Sequence, residues 1–433
     1  MNSNYAGVNS LFINPSFNVD SKIFIDVHII GANAFLHNNV LYMNSSSSFL
    51  RPTTLVVDET GEKKKAYANF EVIGPSIAVS WKQHSFAVFT RLRTFLDAEM
   101  TKALFVLSVS NFDHSAYAGN SFNEKAYLNT ITWFETGISY GYMHKRSSDE
   151  TIDFGINIKR LTGINSTGLT MSDFDFIYNK KQDITINQAD GDYRFVQPAW
   201  GVGKGWGVDL GVNYQKKLES VNGYEPNTKE GGCKHIDYKY KVGLSILDLG
   251  AFNVSNNAVL EQVSYTSQPF KFDSSKVKSV SDADKLLTTN LKNNNVSQSR
   301  STSYRAWLPF GISLQYDYNF ENNFYINATT ITSFKITDQV QRVNVIAVTP
   351  RYERKYFEVD APISLVDYTY PQFGLAFRFG NNLIIGSNRL DSWFGHGRNI
   401  YGGDIYFNLK FAIYRHCGGP RYKKKKAHTC DAY

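Results

Sequence analysis

Gly201, Gly203, Gly205 and Gly207 recur at every second position, a density of bare backbone that can cradle a phosphate. A phosphate loop needs a helix directly after its glycines, because the helix N-terminus supplies the aligned N–H groups. A strand pattern follows here instead, so we read the glycines as small residues where a strand begins in crowded surroundings. The histidines His28, His84, His114, His144, His235, His396 and His416 show no HExxH or comparable ligand spacing, and no metal site is expected. The GxSxG string from Gly137 to Gly141 runs within a strand pattern and not at a strand-to-helix elbow, so no hydrolase signature is read. Cys233, Cys417 and Cys430 match no zinc or iron–sulfur spacing; Cys417 and Cys430 could close a small disulfide in an oxidising compartment, leaving Cys233 single. No cofactor and no catalysis are therefore expected. What remains is a scattered set of charges, Asp26, Arg91, Arg93, Asp153, Lys159, Asp209, Lys239, Lys241, Asp317 and Lys410, whose meaning depends on the elements that carry them.

Those elements are strands. Ile23, Ile25, Val27 and Ile29 alternate with Asp26 and His28; Phe86, Val88 and Leu92 oppose Arg91 and Arg93; Ile152, Phe154, Ile156 and Ile158 oppose Asp153, Asn157 and Lys159. Trp206, Val208, Leu210, Val212 and Tyr214 alternate with Gly207, Asp209, Gly211 and Asn213. Tyr238, Tyr240, Val242, Leu244 and Ile246 face away from Lys239, Lys241, Gly243 and Ser245. Ile312, Leu314, Tyr316 and Tyr318 oppose Ser313, Gln315 and Asp317. In the last strand Ile405, Phe407, Leu409, Phe411 and Ile413 oppose Asp404, Tyr406, Asn408 and Lys410. Soluble strands usually run about five or six residues, whereas a tilted membrane strand needs roughly nine to eleven, the length that several of these segments keep. Aromatics near strand ends, Trp81, Trp133, Trp206, Tyr214, Tyr238 and Tyr318, suit belts at two water–lipid boundaries.

Composition agrees with this reading. Of the 433 residues, 15% are aromatic and only 20% charged, which excludes a disordered chain. No run approaches the roughly 18 apolar residues of a membrane helix, but a barrel strand needs only alternate residues to be apolar. The net charge of +7 is mild and lies partly in the run Lys423 to Lys426, so no nucleic-acid partner is expected. The opening MNSNYAGVNS has no charged and apolar leader; the remainder favours a signal peptide already trimmed.

In hydrocarbon every backbone polar group must be paired, so a sheet that enters a bilayer must close on itself. The fold class expected is all-β: one transmembrane antiparallel barrel whose first strand, near 22–35, neighbours its last, near 402–415. A charge facing lipid at mid-membrane costs roughly 2–4 kcal/mol, so the charges must point into the lumen. Both signs alternate there, and we read them as a mutually neutralised plug rather than a polar conduit. Polar connections at 44–65, 216–234 and 268–302 are expected at the outer face. Ser281, Asp282 and Asp284 before Lys285 to Leu287 read as an N-capped short helix, and Ala98 to Leu107 as a second one.

The stretch Tyr5 to Ser16, with Asn14-Pro15, resembles the amino-terminal hatch of FadL-type outer-membrane proteins, which include long-chain fatty acid transporters and the PorV accessory protein of type IX secretion. GKGWGVDLGVNY, Gly203 to Tyr214, and FGLAFRFGNNLIIGSNRLDS, Phe373 to Ser392, resemble strands of related Bacteroidota barrels, and the NYAGVNS…NPS opening is similar to that of an uncharacterised Bacteroidota family of this superfamily. The resemblance implies about fourteen strands with the first residues folded into the lumen. It divides the chain into a hatch at 1–20, a barrel at 21–416 and a basic periplasmic tail at 417–433. Leu11, Phe12, Ile13, Asn14, Pro15 and Phe17 become the candidate hatch and ligand-contact residues. The expected protein is a non-catalytic component of the bacterial outer membrane, either an accessory or scaffold subunit of a membrane complex or a passage for hydrophobic ligands. Its expected partners are outer-membrane lipid, other outer-membrane proteins of a secretion or assembly complex, or a hydrophobic small molecule. The alternatives are a secreted soluble β protein binding glycans and, further off, an outer-membrane hydrolase.

Overall fold

The alternating segments become an antiparallel barrel in a computed structural model, which describes residues 3–52, 55–58, 60–61, 63–101, 117–180, 183–228, 235–255, 257–265, 269–273, 279–293, 299–335, 339–380, 382–394 and 399–415. The wall is crossed 14 times. The crossings are β1 (Ile25–Asn38), β2 (Lys63–Ile73 and Ser76–Trp81), β3 (His84–Thr101), β4 (Ser121–Lys145), β5 (Glu150–Lys180), β6 (Asp183–Phe195 and Gly203–Lys217) and β7 (Tyr238–Val254, Val259–Tyr265 and Phe270–Asp273). They continue with β8 (Ser299–Ser301, Tyr304–Trp307 and Gly311–Asn319), β9 (Phe324–Ser333), β10 (Val345–Arg354), β11 (Phe357–Asp360 and Ile363–Val366), β12 (Tyr370–Phe373 and Leu375–Phe379), β13 (Leu383–Ser387) and β14 (Gly402–Ile413). Each pairs with its sequence neighbour. β1 also pairs with β14, Ile25 opposite Ile413 and His37 opposite Gly402, which closes the sheet into a barrel.

The direction of the alternation fixes the solvent. Phe86, Ile138, Phe154, Leu244, Leu314, Ile363, Phe379 and Phe411 are exposed on the outside, whereas Arg93, Lys159, Asp317, Arg378 and Lys410 are fully buried inside. A soluble sandwich would interleave those apolar rows between two sheets; here the rows are exposed, and the other sheet among the described residues is only a two-stranded ribbon, Leu41–Met43 with Leu55–Val57. Aromatic rings gather outside at two levels. Tyr240 lies between Tyr214 and Tyr316, at 6.1 and 6.3 Å, near one end. Toward the other end Trp206 sits beneath Arg160, Trp307 beneath Arg305, and Phe134 against Trp200. From Trp206 to Tyr214 the strand rises about 26 Å at roughly 3.3 Å per residue, or about 20 Å along the membrane normal at the ~40° tilt of such barrels, most of their ~25 Å apolar band.

Several sequence expectations are corrected. Trp133 is not in a belt: it shares the inward face with Glu135, to which its indole N–H donates at 3.0 Å, and joins an interior cluster with Phe95, Leu161 and Phe252. Tyr238 is also inside. Lys216 pairs with Tyr240 and Lys217 with Tyr238, so Lys239 is the extra residue of a β-bulge that shifts the alternation by one. Ala98 to Thr101 continue β3 as strand rather than opening a helix. The expected capped helix exists as α1 (Val280–Asn293), but its cap is Ser279: the hydroxyl accepts the Asp282 N–H and donates to the Asp282 carboxylate, the three-residue reach of a capping box. The connection around 216–234 lies not with 44–65 and 268–302 but at the opposite end, beside the short turns at 82–83, 146–149 and 320–323. Cys233, Cys417, Cys430, the run Lys423 to Lys426 and the tail 417–433 lie outside the described residues.

Two features distinguish the loop end. β5 is 31 residues long, and its outer part, paired with β4 and with Asp183–Phe195 of β6, carries a sheet well beyond the aromatic belt. β13 has only five residues, so the outer parts of β12 and β14 do not meet through a strand. Residues 388–394, including the short helix α2 (Asp391–Phe394), fill that interval, with the Asn388 N–H and amide donating to Asp404.

Candidate functional site

Residues 3–24 run inside the barrel before β1 begins. Asn14 is fully buried and explains the Asn-Pro pair. It caps a short 3-10 turn, Pro15–Asn18, its side-chain oxygen accepting from the Ser16 N–H at 3.0 Å and hydroxyl at 2.6 Å, while Pro15 occupies the first position, where no N–H is needed. The amide nitrogen of Asn14 faces the Val212 and Leu244 carbonyls and Gln315 Oε1, at 3.2, 3.3 and 3.2 Å. The wall supplies further bonds: Asn157 donates to the Leu11 carbonyl, Ser245 to that of Ile13, Ser80 to that of Val19, and Lys410 to those of Tyr5 and Ala6.

The seat beneath this turn is a row of small residues. Ser85, Gly141, Gly155, Gly211, Ser245 and Ser313 stand directly opposite one another on β3 to β8. A Cβ added at Gly155 would lie 2.3 Å from backbone atoms of Pro15 and Ser16, and one at Gly211 would lie 2.0 Å from the Asn14 side-chain oxygen. The wall can therefore be approached by main chain only because it has no side chains there. Gly7 adds a second close approach, with φ of +59° and the Asp26 carboxylate where its Cβ would be; that carboxylate accepts the Val8 N–H at 2.8 Å.

Charges pin the segment and fill the space around it. Glu353 accepts the Asn4 N–H, Glu358 the Ser3 hydroxyl, and Lys22 bridges Asp237 and Glu353. At the turn end Asp20 pairs with Lys217 and accepts from Tyr224 of the 218–237 connection. Burial alone would raise the Asp20 carboxyl, but Lys217, His235 and Tyr224 hold it below its ordinary range. Deeper in the barrel Arg91 joins Glu71 and Glu135, Arg93 and Lys159 join Asp248, Lys159 also joins Asp209, and Arg342 reaches Asp248 from the 334–344 connection. Four cations thus meet four carboxylates.

The structure brings most of the candidate residues together. Leu11 packs with Val8, Ala78, Ala87 and Phe89; Phe12 lies beneath the Arg91 guanidinium, 3.9 Å from its ring centre; Phe17 lies 4.9 Å from the Lys241 ammonium. Asp26 pairs with Lys410 at 3.1 Å and Lys241 with Asp317 at 3.7 Å. Asp153 accepts from Asn213 and Gln215. Lys239 does not belong with them. The bulge puts it on the outer surface, bonded to Glu321 at 2.5 Å and over the Tyr318 ring. Exposed pairs contribute little, so Lys239→Ala should leave the temperature of heat-modifiable gel migration unchanged, whereas a lumen charge would not. Sequence reading put Asn157 and Gln315 on polar faces without assigning them a contact, and missed Glu135, Asp248 and Arg342; Glu135 carried only the signal of a polar residue on an alternating strand, and Arg342 lies in a connection.

A cavity within the lumen lies elsewhere. About 360 Å³ of space occupies the loop-end half of the lumen, bounded by β1 to β3, β9 to β12, β14 and Gln341 to Val343. None of Leu11, Phe12, Ile13, Asn14, Pro15 and Phe17 lines it. Its lining is mixed: Phe35, Phe95, Ile331, Val345 and Val366 on the apolar side, with Asn69, Asp360, Gln372, Asn388 and Asp404 among the polar groups. The last two also border the interval where β13 stops short. Among the described residues no group of three or more His, Cys, Asp or Glu is placed to hold a metal ion, and no helix is long and apolar enough to cross a membrane.

A closed antiparallel barrel, apolar outside between two aromatic belts and charged within, is a membrane β-barrel. Residues 15–388 match a family described as of unknown function, DUF5723, and the chain belongs to it. No curated protein matches the chain. Among solved structures it is similar to the toluene transporter TodX of Pseudomonas putida, at 9% identity over 95% of each chain with a TM-score of 0.41. It is also similar to the toluene transporter TbuX of Ralstonia pickettii, at 7% identity over 95% of this chain and 94% of that one, TM-score 0.41. A Pseudomonas aeruginosa FadL homologue is 12% identical over 94% and 93%, again with a TM-score of 0.41. These likenesses are of barrel fold.

Proposed function

We propose that the protein resides in a bacterial outer membrane and, without catalysis, takes a small, mainly apolar molecule into its lumen from the loop end, with residues 1–20 acting as a hatch toward the opposite mouth. The observation that carries this is the cavity of about 360 Å³, within the size range of small-molecule sites and half lined by apolar side chains. The interval between β12 and β14, filled by residues 388–394 with Phe49 packed on Trp393, offers a side route from the membrane to the same cavity. The neutralised charges and the buried Asn14 turn keep the resting lumen shut to ions.

The test fills the cavity. Ala347 faces inward on β10 and lines it, so Ala347→Trp should weaken binding of radiolabelled naphthalene to the protein in lipid nanodiscs by at least about tenfold. Heat-modifiable migration should be retained. Equal binding by both proteins, or binding no greater than that of empty nanodiscs, would refute the proposal. A second reading, an accessory subunit that docks a protein partner, is favoured by the sheet that β5 and β6 extend beyond the belt.

A further inference from the structure

We infer that the cavity selects ligands bearing a hydrogen-bond donor or a positive charge on an apolar body, such as aromatic amines or alcohols, and rejects carboxylates. This rests on the ligand-binding reading above and specifies its substrate class. Asp360, at the inner end of its β11 segment, is 5% exposed, and among the described residues its Oδ1 atom has no hydrogen-bond partner. Gln372 on β12 is 3% exposed and its side-chain nitrogen is also unpartnered, as is the Asn69 side-chain oxygen on β2. All three line the same cavity. Buried polar atoms normally find partners, and three exceptions on residues that line one space point to a ligand able to supply them.

Charge decides which partner fits. An amide can present either its oxygen or its nitrogen, so Asn69 and Gln372 fix orientation without choosing a sign. Asp360 and Asp404 do choose. Among the described residues the hydrogen bonds of the Asp404 carboxylate come from neutral donors, the Ser387 hydroxyl and the Asn388 N–H and amide. The two arginines of the lining are engaged elsewhere: Arg351 with Asp317 and Glu353, Arg342 with Asp248. The lining therefore offers carboxylate oxygen to a donor and no uncommitted guanidinium to an anion. Phe35, Phe95 and Val366 cover the ligand's apolar body.

Phenethylamine, phenethyl alcohol and phenylacetate share a ring and differ in head group. Equilibrium dialysis of each, radiolabelled, against the full chain in nanodiscs, with empty nanodiscs subtracted, should give amine and alcohol binding at least about tenfold tighter than phenylacetate. Asp360→Asn should bring the three within about threefold of one another. If phenylacetate binds as tightly as the amine, or if Asp360→Asn leaves the order unchanged, the selectivity is refuted while ligand binding stands. If none of the three binds and naphthalene does not bind either, both fall together. Should Asp360→Asn fail to fold, the order measured on the unaltered protein still decides.

Discussion

Replacing Gly155 with valine should release the amino-terminal segment from the lumen while leaving the barrel closed. The new Cβ would lie 2.3 Å from the carbonyl carbon of Pro15 and from the nitrogen of Ser16, main-chain atoms that cannot rotate aside. To make room the 3-10 turn must lift, and with it go the bonds of Asn14 to Val212, Leu244 and Gln315, of Ser245 to Ile13 and of Asn157 to Leu11. At about 0.5–1.5 kcal/mol net each, the loss is on the order of 3–7 kcal/mol. The barrel ladder does not depend on those bonds, and Gly155 keeps its partners Gly141 and Gly211. The expected result is a chain that still shows heat-modifiable migration but whose first residues are cut by added protease, and that conducts ions in planar bilayers where the unaltered protein is silent. Asn14→Ala should do the same more weakly, by about 1–2 kcal/mol for the lost cap. A segment still protected in Gly155→Val, with no conductance, would mean that the small-residue row is not its seat.

Asp248→Ala should be the most destabilising substitution in the lumen. Asp248 holds Arg93 through two parallel bonds at 2.8 and 2.9 Å, Lys159 at 2.6 Å, and Arg342 as well. Its own N–H donates to Asp209 at a bulge where its φ is +59°. Removing the carboxylate leaves these cations buried with one counter-charge fewer, and breaking such a network from one side costs about 3–5 kcal/mol. Removing charge from both sides should be gentler, so Asp248→Ala combined with Lys159→Met should recover part of the loss. The midpoint of urea unfolding in detergent measures both. Because Arg342 belongs to the 334–344 connection, the single substitution should also make that connection more sensitive to protease. Equal midpoints for Asp248→Ala and the unaltered protein would show that the network is decorative.

How much of this was legible beforehand differs from strand to strand. Ile405 to Ile413 read directly, because a strand facing lipid on one side and a filled lumen on the other has a side-chain period of two with nothing to disturb it. Bulges spoiled the reading elsewhere. One extra residue at Lys239 sent that lysine outside and Tyr238 inside, and a shift between His28 and Ile30 did the same to the phase of β1. A bulge is set by pairing with the neighbouring strand, so a period counted along one strand does not reveal it. The candidate site was legible in part: Asn14-Pro15 announced a capped turn, but not what it caps against. Gly141, Gly155, Gly211 and Ser245 are scattered over more than a hundred positions, and they become one groove only when the register sets them side by side. The cavity left no local mark, since Asn69 on β2 meets Asp360 and Gln372, on the paired strands β11 and β12, from the other end of the chain.

The sequence by itself determined that the chain forms long strands with one apolar face, and hence, through the cost of unpaired backbone in hydrocarbon, that those strands close into a barrel around buried charge. Tertiary structure alone decided which charges meet, where the lumen is solid and where it is hollow. Those outcomes depend on strand register, and register is a relation between segments that local chemistry constrains only to one face or the other.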